Sequence, residues 1–296
     1  MTAQTPKNLL KNNPVLCRHD MQPAFTSHPC ADFSAPIGVF DSGIGGLSVL
    51  RALRTQLPQE NFVYFADSAY APYGERGESF VLERSLTIAA NLLQQHHIKA
   101  LVVACNTATA AAVRTLRAHY PHLPLVGIEP AIKPAAACSR TRRVGVVATR
   151  GTIESEKLAR LIASHGAGVD FVCQACPGLA KAIEFLPETG DLAQVQQLIA
   201  DNLTQMGSFG TQTGQMDTLV LGCTHYPLVA HAFAAQLPAG VQLLETGAAV
   251  AKHTEYLLNQ AGLLQERQEA QQGHLSLLTS ANPSHIAQAA AYWDIR

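Results

Sequence analysis

At 296 residues and 47% hydrophobic content, the chain suits one large domain or two modest ones around a sizeable core. Charged residues make up only 15% and the formal net charge is −1, which excludes a strong electrostatic case for nucleic acid or an anionic membrane. No apolar run approaches the length of a membrane span.

Residues 1–35 are polar and mixed, with Pro6, Pro14, Pro23 and Pro29 and no apolar stretch of the kind a secretion signal carries. They predict a flexible extension, with a short ordered arm as the alternative. Ile37 to Phe40 reads as a strand, and the glycine-rich turn Asp41-Ser42-Gly43-Ile44-Gly45-Gly46 leads into a helix from Leu47 to Leu57. The turn matches neither GxGxxG nor GxxxxGK[ST]; its glycines suit close backbone approach to a small anion better than a nucleotide. Asn61 to Phe65 is a strand, and Ala66 to Gly74 is an aromatic- and Pro-rich loop suited to binding. A helix over Glu78–His96 follows, then the Cys105 strand and its helix, and a strand over Leu125–Ile128. Ala131 to Ala137 is helical.

Arg143 to Thr149 opens a second copy of this plan, mirroring Ile37 to Ser42. Thr152 is a suitable N-cap for a helix over Ile153–His165. A strand over Val169–Val172, a helix over Leu179–Phe185 carrying Glu184, and a helix over Leu192–Met206 lead to the Cys223 strand. A helix over Pro227–Leu237, strands over Val241–Leu244 and His274–Thr279, and helices over Gly247–Ala261 and Ala281–Tyr292 complete the order. Such alternation predicts an α/β fold: two similar lobes of mostly parallel sheets flanked by helices, with the active site in the cleft between them.

Of the seven cysteines, Cys105 and Cys223 stand out. Each follows a buried apolar run and precedes a helix, so each sits at the mouth of a parallel sheet, where open α/β folds bind ligands. A helix N-terminus there lowers a thiol's pKa. The odd number of cysteines without a secretion signal predicts reduced thiols and a cytoplasmic location. Cys173 and Cys176 form a CxxC followed directly by Pro177-Gly178, and read as two thiols near a lobe surface rather than a redox or zinc pair.

Two thiols facing one cleft from opposite sides suit inversion at a carbon: one removes a proton, the other returns one. The α-hydrogen of an amino acid is feebly acidic, so the cleft must exclude water and supply donors to the carboxylate. Ser42, Asn106, Thr107, Thr224 and the Gly74 N–H are suitable donors. Asp41, paired with Cys105, and His225, two residues from Cys223, are the neighbours suited to help each thiol. Each residue alone also has a plain structural role: a core thiol, a turn histidine, an aspartate capping the helix at Leu47.

The stretches Phe40–Val49, Tyr64–Asp67 with Pro72-Tyr73-Gly74, Ala104–Ala110, Gly127–Pro130 and Leu221–Pro227 together resemble the glutamate racemases of the aspartate/glutamate racemase superfamily, over residues 37 to about 290. The resemblance implies interconversion of L- and D-glutamate, with D-glutamate going to peptidoglycan, and no pyridoxal phosphate or metal. It makes Cys105 and Cys223 the proton-transfer residues and assigns substrate contact or organisation to Asp41, Ser42, Tyr73, Gly74, Asn106, Thr107, Thr224 and His225. Glu184 would assist His225. It also implies lobe one at 36–128 plus 240–296 and lobe two at 129–239.

The N-terminal extension is longer than in compact members, and in some members with such an extension UDP-N-acetylmuramoyl-L-alanine activates the enzyme; that molecule is a candidate activator, and a homodimer a candidate assembly. Glu245-Thr246 stands where the family often has Asp-Ser. Rival functions are aspartate or hydantoin racemisation, a Cys-nucleophile hydrolase with His225 as base, and a two-lobed amino-acid binding protein.

Overall fold

The computed structural model describes residues 33–265 and 272–295. The expected extension over 1–35 lies outside them except for its last three residues.

β1 (Ile37–Asp41) leads to α1 (Leu47–Gln56), β2 (Phe62–Ala66), α2 (Glu78–His96), β3 (Ala100–Val103), α3 (Asn106–His119) and β4 (Leu125–Gly127). α4 (Ile132–Cys138) precedes β5 (Arg143–Ala148), α5 (Arg150–Ile153), α6 (Glu156–His165), β6 (Asp170–Ala175), α7 (Leu179–Glu184), α8 (Leu186–Thr189) and α9 (Leu192–Met206). β7 (Thr218–Leu221), a 3₁₀ turn over Tyr226–Val229, α10 (Ala230–Ala234), β8 (Gln242–Leu244), α11 (Gly247–Gln260), β9 (Leu275–Thr279) and α12 (Pro283–Tyr292) follow.

The strands form two sheets, ordered β4-β3-β1-β2-β9 and β6-β5-β7-β8, and every pairing is parallel. Helices cover parallel sheets on both faces, which is why β1, β3 and β7 are buried along their whole length. The α/β class with two parallel-sheet lobes is as expected. One apolar cluster runs from Leu50 and Leu53 of α1 through Tyr226 and Val229 to Ile199 and Leu203 of α9, so the two sheets share a core.

Several details differ from the sequence expectations. β8 pairs with β7, covering an edge that would otherwise be bare, so the chain stays with the second sheet until Leu244. The return to lobe one therefore falls a few residues beyond 240, at α11, which packs on α1. Thr152 does not cap the long helix: Ser155 does, its hydroxyl accepting from Leu158 N–H at 3.1 Å, while Arg150–Ile153 forms a separate turn. The stretch after Cys223 opens as a 3₁₀ turn and gives only a short helix. β6 runs on to Ala175, so Cys173 sits within a strand and Cys176 is buried beyond it rather than near a surface.

Candidate functional site

In each sheet the second crossover jumps back past the first strand, creating a switch point between β1 and β3 and another between β5 and β7. Phe40 pairs with Val103 and Val147 with Leu221. Carrying each register two residues onward sets Ser42 opposite Cys105 and Thr149 opposite Cys223. The doubled plan of the sequence is therefore a repeat of switch points. Both thiols line one narrow cleft, together with Ser42, Tyr73, Asn106, Thr107, Thr149 and His225 among others.

Cys105 is the N-cap of α3, its sulfur accepting from Ala108 N–H at 3.5 Å, with the Ser42 hydroxyl 3.7 Å away. The helix N-terminus by itself would lower this thiol's pKa. Instead burial pushes it up to about 12, with the nearby Asp41 charge acting in the same sense, and the hydrogen bonds with Ala108 and Ser42 do not offset them.

Asp41 does not pair directly with Cys105. Its carboxylate accepts from Gly43 N–H at 2.8 Å and from the Thr224 hydroxyl at 2.9 Å, across to the loop that carries Cys223. Full burial raises it to about 6, against the opposing pull of the His225 charge and of these two donors. It lies behind the cleft wall and ties the glycine-rich turn after β1 to the loop that carries Cys223.

His225 places Nδ1 3.8 Å from Cys223 Sγ and Nε2 2.7 Å from Glu184 Oε2. Its burial alone would favour the neutral ring, but Cys223 and Glu184 prevail and hold the imidazole protonated well above its ordinary value. Glu184 is also buried; hydrogen bonds from His225 and His285, and the Ile44 N–H at 2.9 Å, outweigh burial and hold it down at about 2. The expected assistance of His225 by Glu184 is thus a direct contact here.

The 72–74 loop is braced from behind. Tyr73 donates its hydroxyl to Asp67, which Arg84 also grips through Nε and Nη2 at 3.0 and 2.8 Å. On the cleft side, Thr107, Thr149 and Thr152 form a triangle of hydroxyls 3.0 to 3.4 Å apart. Gly74 lies against it so closely that an added Cβ would stand 2.4 Å from Thr149 Cβ. Gly74→Ala is therefore expected to destabilise the protein by about 1–3 kcal/mol, measured by urea denaturation. Gly77→Ala, whose Cβ would meet nothing within 4 Å, should change stability far less.

The structure brings together Ser42, Tyr73, Gly74, Cys105, Asn106, Thr107, Cys223, Thr224 and His225 as cleft lining, with Asp41 and Glu184 one layer behind. Pro72, Thr149, Thr152 and Ala180 line it too and were not expected. Thr149 was legible in principle, because the mirrored strand starts align it with Ser42. Glu245 and Thr246 lie on a narrow neighbouring crevice that reaches Cys223 and Asn106 from another side. Among the described residues no His, Cys, Asp and Glu cluster is arranged to hold a metal.

Residues 37–254 match the model of the Asp/Glu/Hydantoin racemase family. The chain is 47% identical to a glutamate racemase of Pseudomonas syringae pv. tomato, covering 78% of this chain and 81% of that protein. It is 48% identical to one of Stutzerimonas stutzeri, covering 79% and 86%. Among solved structures, a glutamate racemase isoform of Bacillus anthracis superposes with a TM-score of 0.75 at 30% identity, covering 88% of this chain and 93% of that one. The Escherichia coli glutamate racemase, solved with L-glutamate and its activator UDP-MurNAc-Ala, superposes with a TM-score of 0.73 at 31% identity, covering 88% and 94%. Opposed thiols at the switch points of two parallel sheets, over a matched stretch that contains both, place this chain in the Asp/Glu/Hydantoin racemase family.

Proposed function

We propose that this enzyme interconverts L- and D-glutamate, with Cys105 and Cys223 exchanging a proton with the substrate's α-carbon from opposite faces. The observation that carries this is the enclosure of both thiols in one cleft, one from each switch point. The thiol on the face bearing the α-hydrogen acts as thiolate and takes it. The thiol on the other face donates its proton to the resulting carbanion, and solvent resets both sulfurs.

A thiol held near 12 is scarcely ionised near neutral pH. A bound α-ammonium group would favour the thiolate by its charge, so substrate supplies part of the activation. On the other side the protonated His225, braced by Glu184, stabilises a Cys223 thiolate and can return a proton to it. The hydroxyls of Thr107, Thr149 and Thr152 offer neutral donors to carboxylate oxygens. Asn106 Oδ1 is buried and has no hydrogen-bond partner among the described residues, which suits it to accept from the ammonium.

On this reading the D-glutamate goes to peptidoglycan and the enzyme works in the cytoplasm, where thiols stay reduced. The Escherichia coli relative's activator is then a candidate activator here. Circular dichroism of purified protein with L-glutamate, with and without UDP-MurNAc-Ala, tests the proposal. The expected result is decay of the signal to zero for L-glutamate and a stable signal for L-aspartate. Loss of the aspartate signal with glutamate untouched would assign a different substrate.

A further inference from the structure

Behind the site runs a line of four ionisable groups that ends at the surface. Glu184 receives two imidazoles on different oxygens: His225 Nε2 on Oε2 at 2.7 Å, and His285 Nε2 on Oε1 at 2.9 Å. His285 Nδ1 then meets Glu188 Oε1 at 2.8 Å. His285 belongs to the first turn of α12 and comes from far along the chain, and its ring packs against Phe185 at 5.6 Å.

Both ring nitrogens of His285 face carboxylate oxygens, and an ionised carboxylate only accepts. A neutral imidazole has one N–H, so this double contact requires the imidazolium. The first turn of a helix disfavours a cation, so the two carboxylates must be what keep it charged. Its pKa stands at about 9, raised by Glu184 and Glu188 against partial burial.

We propose that His285 is a positioning residue that holds a positive charge against Glu184 through neutral pH and thereby sets the acidity of His225. This rests on the glutamate racemase reading above. One carboxylate shared by two imidazoliums neutralises each less than it would neutralise one alone. His285 therefore keeps the His225 proton loose enough to reach Cys223. The groups facing His285 are Glu184 and Glu188; those facing His225 are Cys223 and Glu184, with the Asp41 charge also acting on it. Without the His285 charge, Glu184 grips His225 harder, and His225 gives up its proton only at higher pH.

The test uses His285→Gln, which keeps a donor toward Glu184 but removes the charge, and Glu188→Gln at the half-exposed end of the line. In His285→Gln the basic limb of the kcat/KM profile should move up by about one pH unit, kcat should fall about 3- to 10-fold, and KM should stay within about twofold. Glu188→Gln, which leaves the His285 charge to bear on Glu184 alone, should shift the limb the opposite way by less, and it carries the test if the His285→Gln protein does not fold. His285→Lys, which keeps the charge, should return the limb toward its wild-type position. NMR titration of the His225 ring reads the same upward shift without turnover. A limb and a His225 titration that stay in place in both neutral variants overturn the proposal. So does a uniform loss of rate at every pH, which marks a purely structural contact. If the wild type leaves glutamate untouched, the functional reading fails instead, while the His225 titration still decides whether His285 sets its acidity.

Discussion

Cys223→Ser and Cys105→Ser are each expected to lower racemisation by about 10²–10⁴-fold, the usual worth of a positioned proton-transfer group. Serine keeps the shape and a hydroxyl, but that hydroxyl is far less acidic than a thiol and does not supply an anion near neutral pH. The loss should carry a particular isotope pattern. In D₂O, wild-type enzyme stopped early should give D-glutamate with deuterium at Cα, because the donating thiol has equilibrated with solvent. The remaining L-glutamate should be mostly unlabelled. Each serine variant keeps one working face, so it should wash deuterium into only the enantiomer whose α-hydrogen points at the remaining thiol, without inverting it. A single base that swings between faces would instead return original hydrogen to the product. Near wild-type racemisation by both variants, or unlabelled product from the wild type, would sink the two-thiol mechanism. A hydrolase built on one nucleophilic cysteine would lose activity in only one of the two variants.

Glu184→Gln should cost about 3–5 kcal/mol at pH 6, because it strips the shared anion from two buried imidazoliums. The carboxylate accepts from His225, His285, the Ile44 N–H and the Ser68 hydroxyl, so it also ties both sheets' loops to α12. The pH dependence has a fixed sign. The Glu184 pKa is depressed from 4.5 to about 2, so its stabilisation is present above about 4.5 and lost as pH falls toward 2. The His285 pKa is raised from 6.5 to about 9, so its stabilisation is complete below about 6.5 and lost as pH rises through 9. The gap between wild type and variant should be widest between pH 4.5 and 6.5 and shrink on both sides. Urea denaturation at three pH values measures this. A gap that is small, or flat from acid to base, would mean that no ionic network is lost.

Much of the site was legible because its residues are sequential neighbours of two strand ends. The motifs around Cys105 and Cys223 placed Asn106, Thr107, Thr224 and His225 beside the thiols, since a strand end and the next helix start leave no other place for them. Helix ends were less legible. Thr152 and Ser155 are both acceptable caps, and the choice went to Ser155 because the Thr152 hydroxyl lies in the threonine triangle of the cleft. The role given to Asp41 also changed. From sequence it neighbours Ser42 and the β1 turn, but its carboxylate partner, Thr224, is 183 residues away.

By itself the sequence determined the α/β class, the doubled plan and the two thiol turns. Parallel strands buried on both faces must read as short apolar runs, and the polar residues that follow them are held at the sheet mouth by local geometry. Tertiary structure alone decided which groups are charged and what they touch. Burial raises Cys105 against the pull of its helix, which no local rule registers, and Thr152 joins the cleft only because the lobes face each other. His285 meets Glu184 across 101 residues. Such pairings depend on distances in space and on the exclusion of water, and neither is written in the order of residues along the chain.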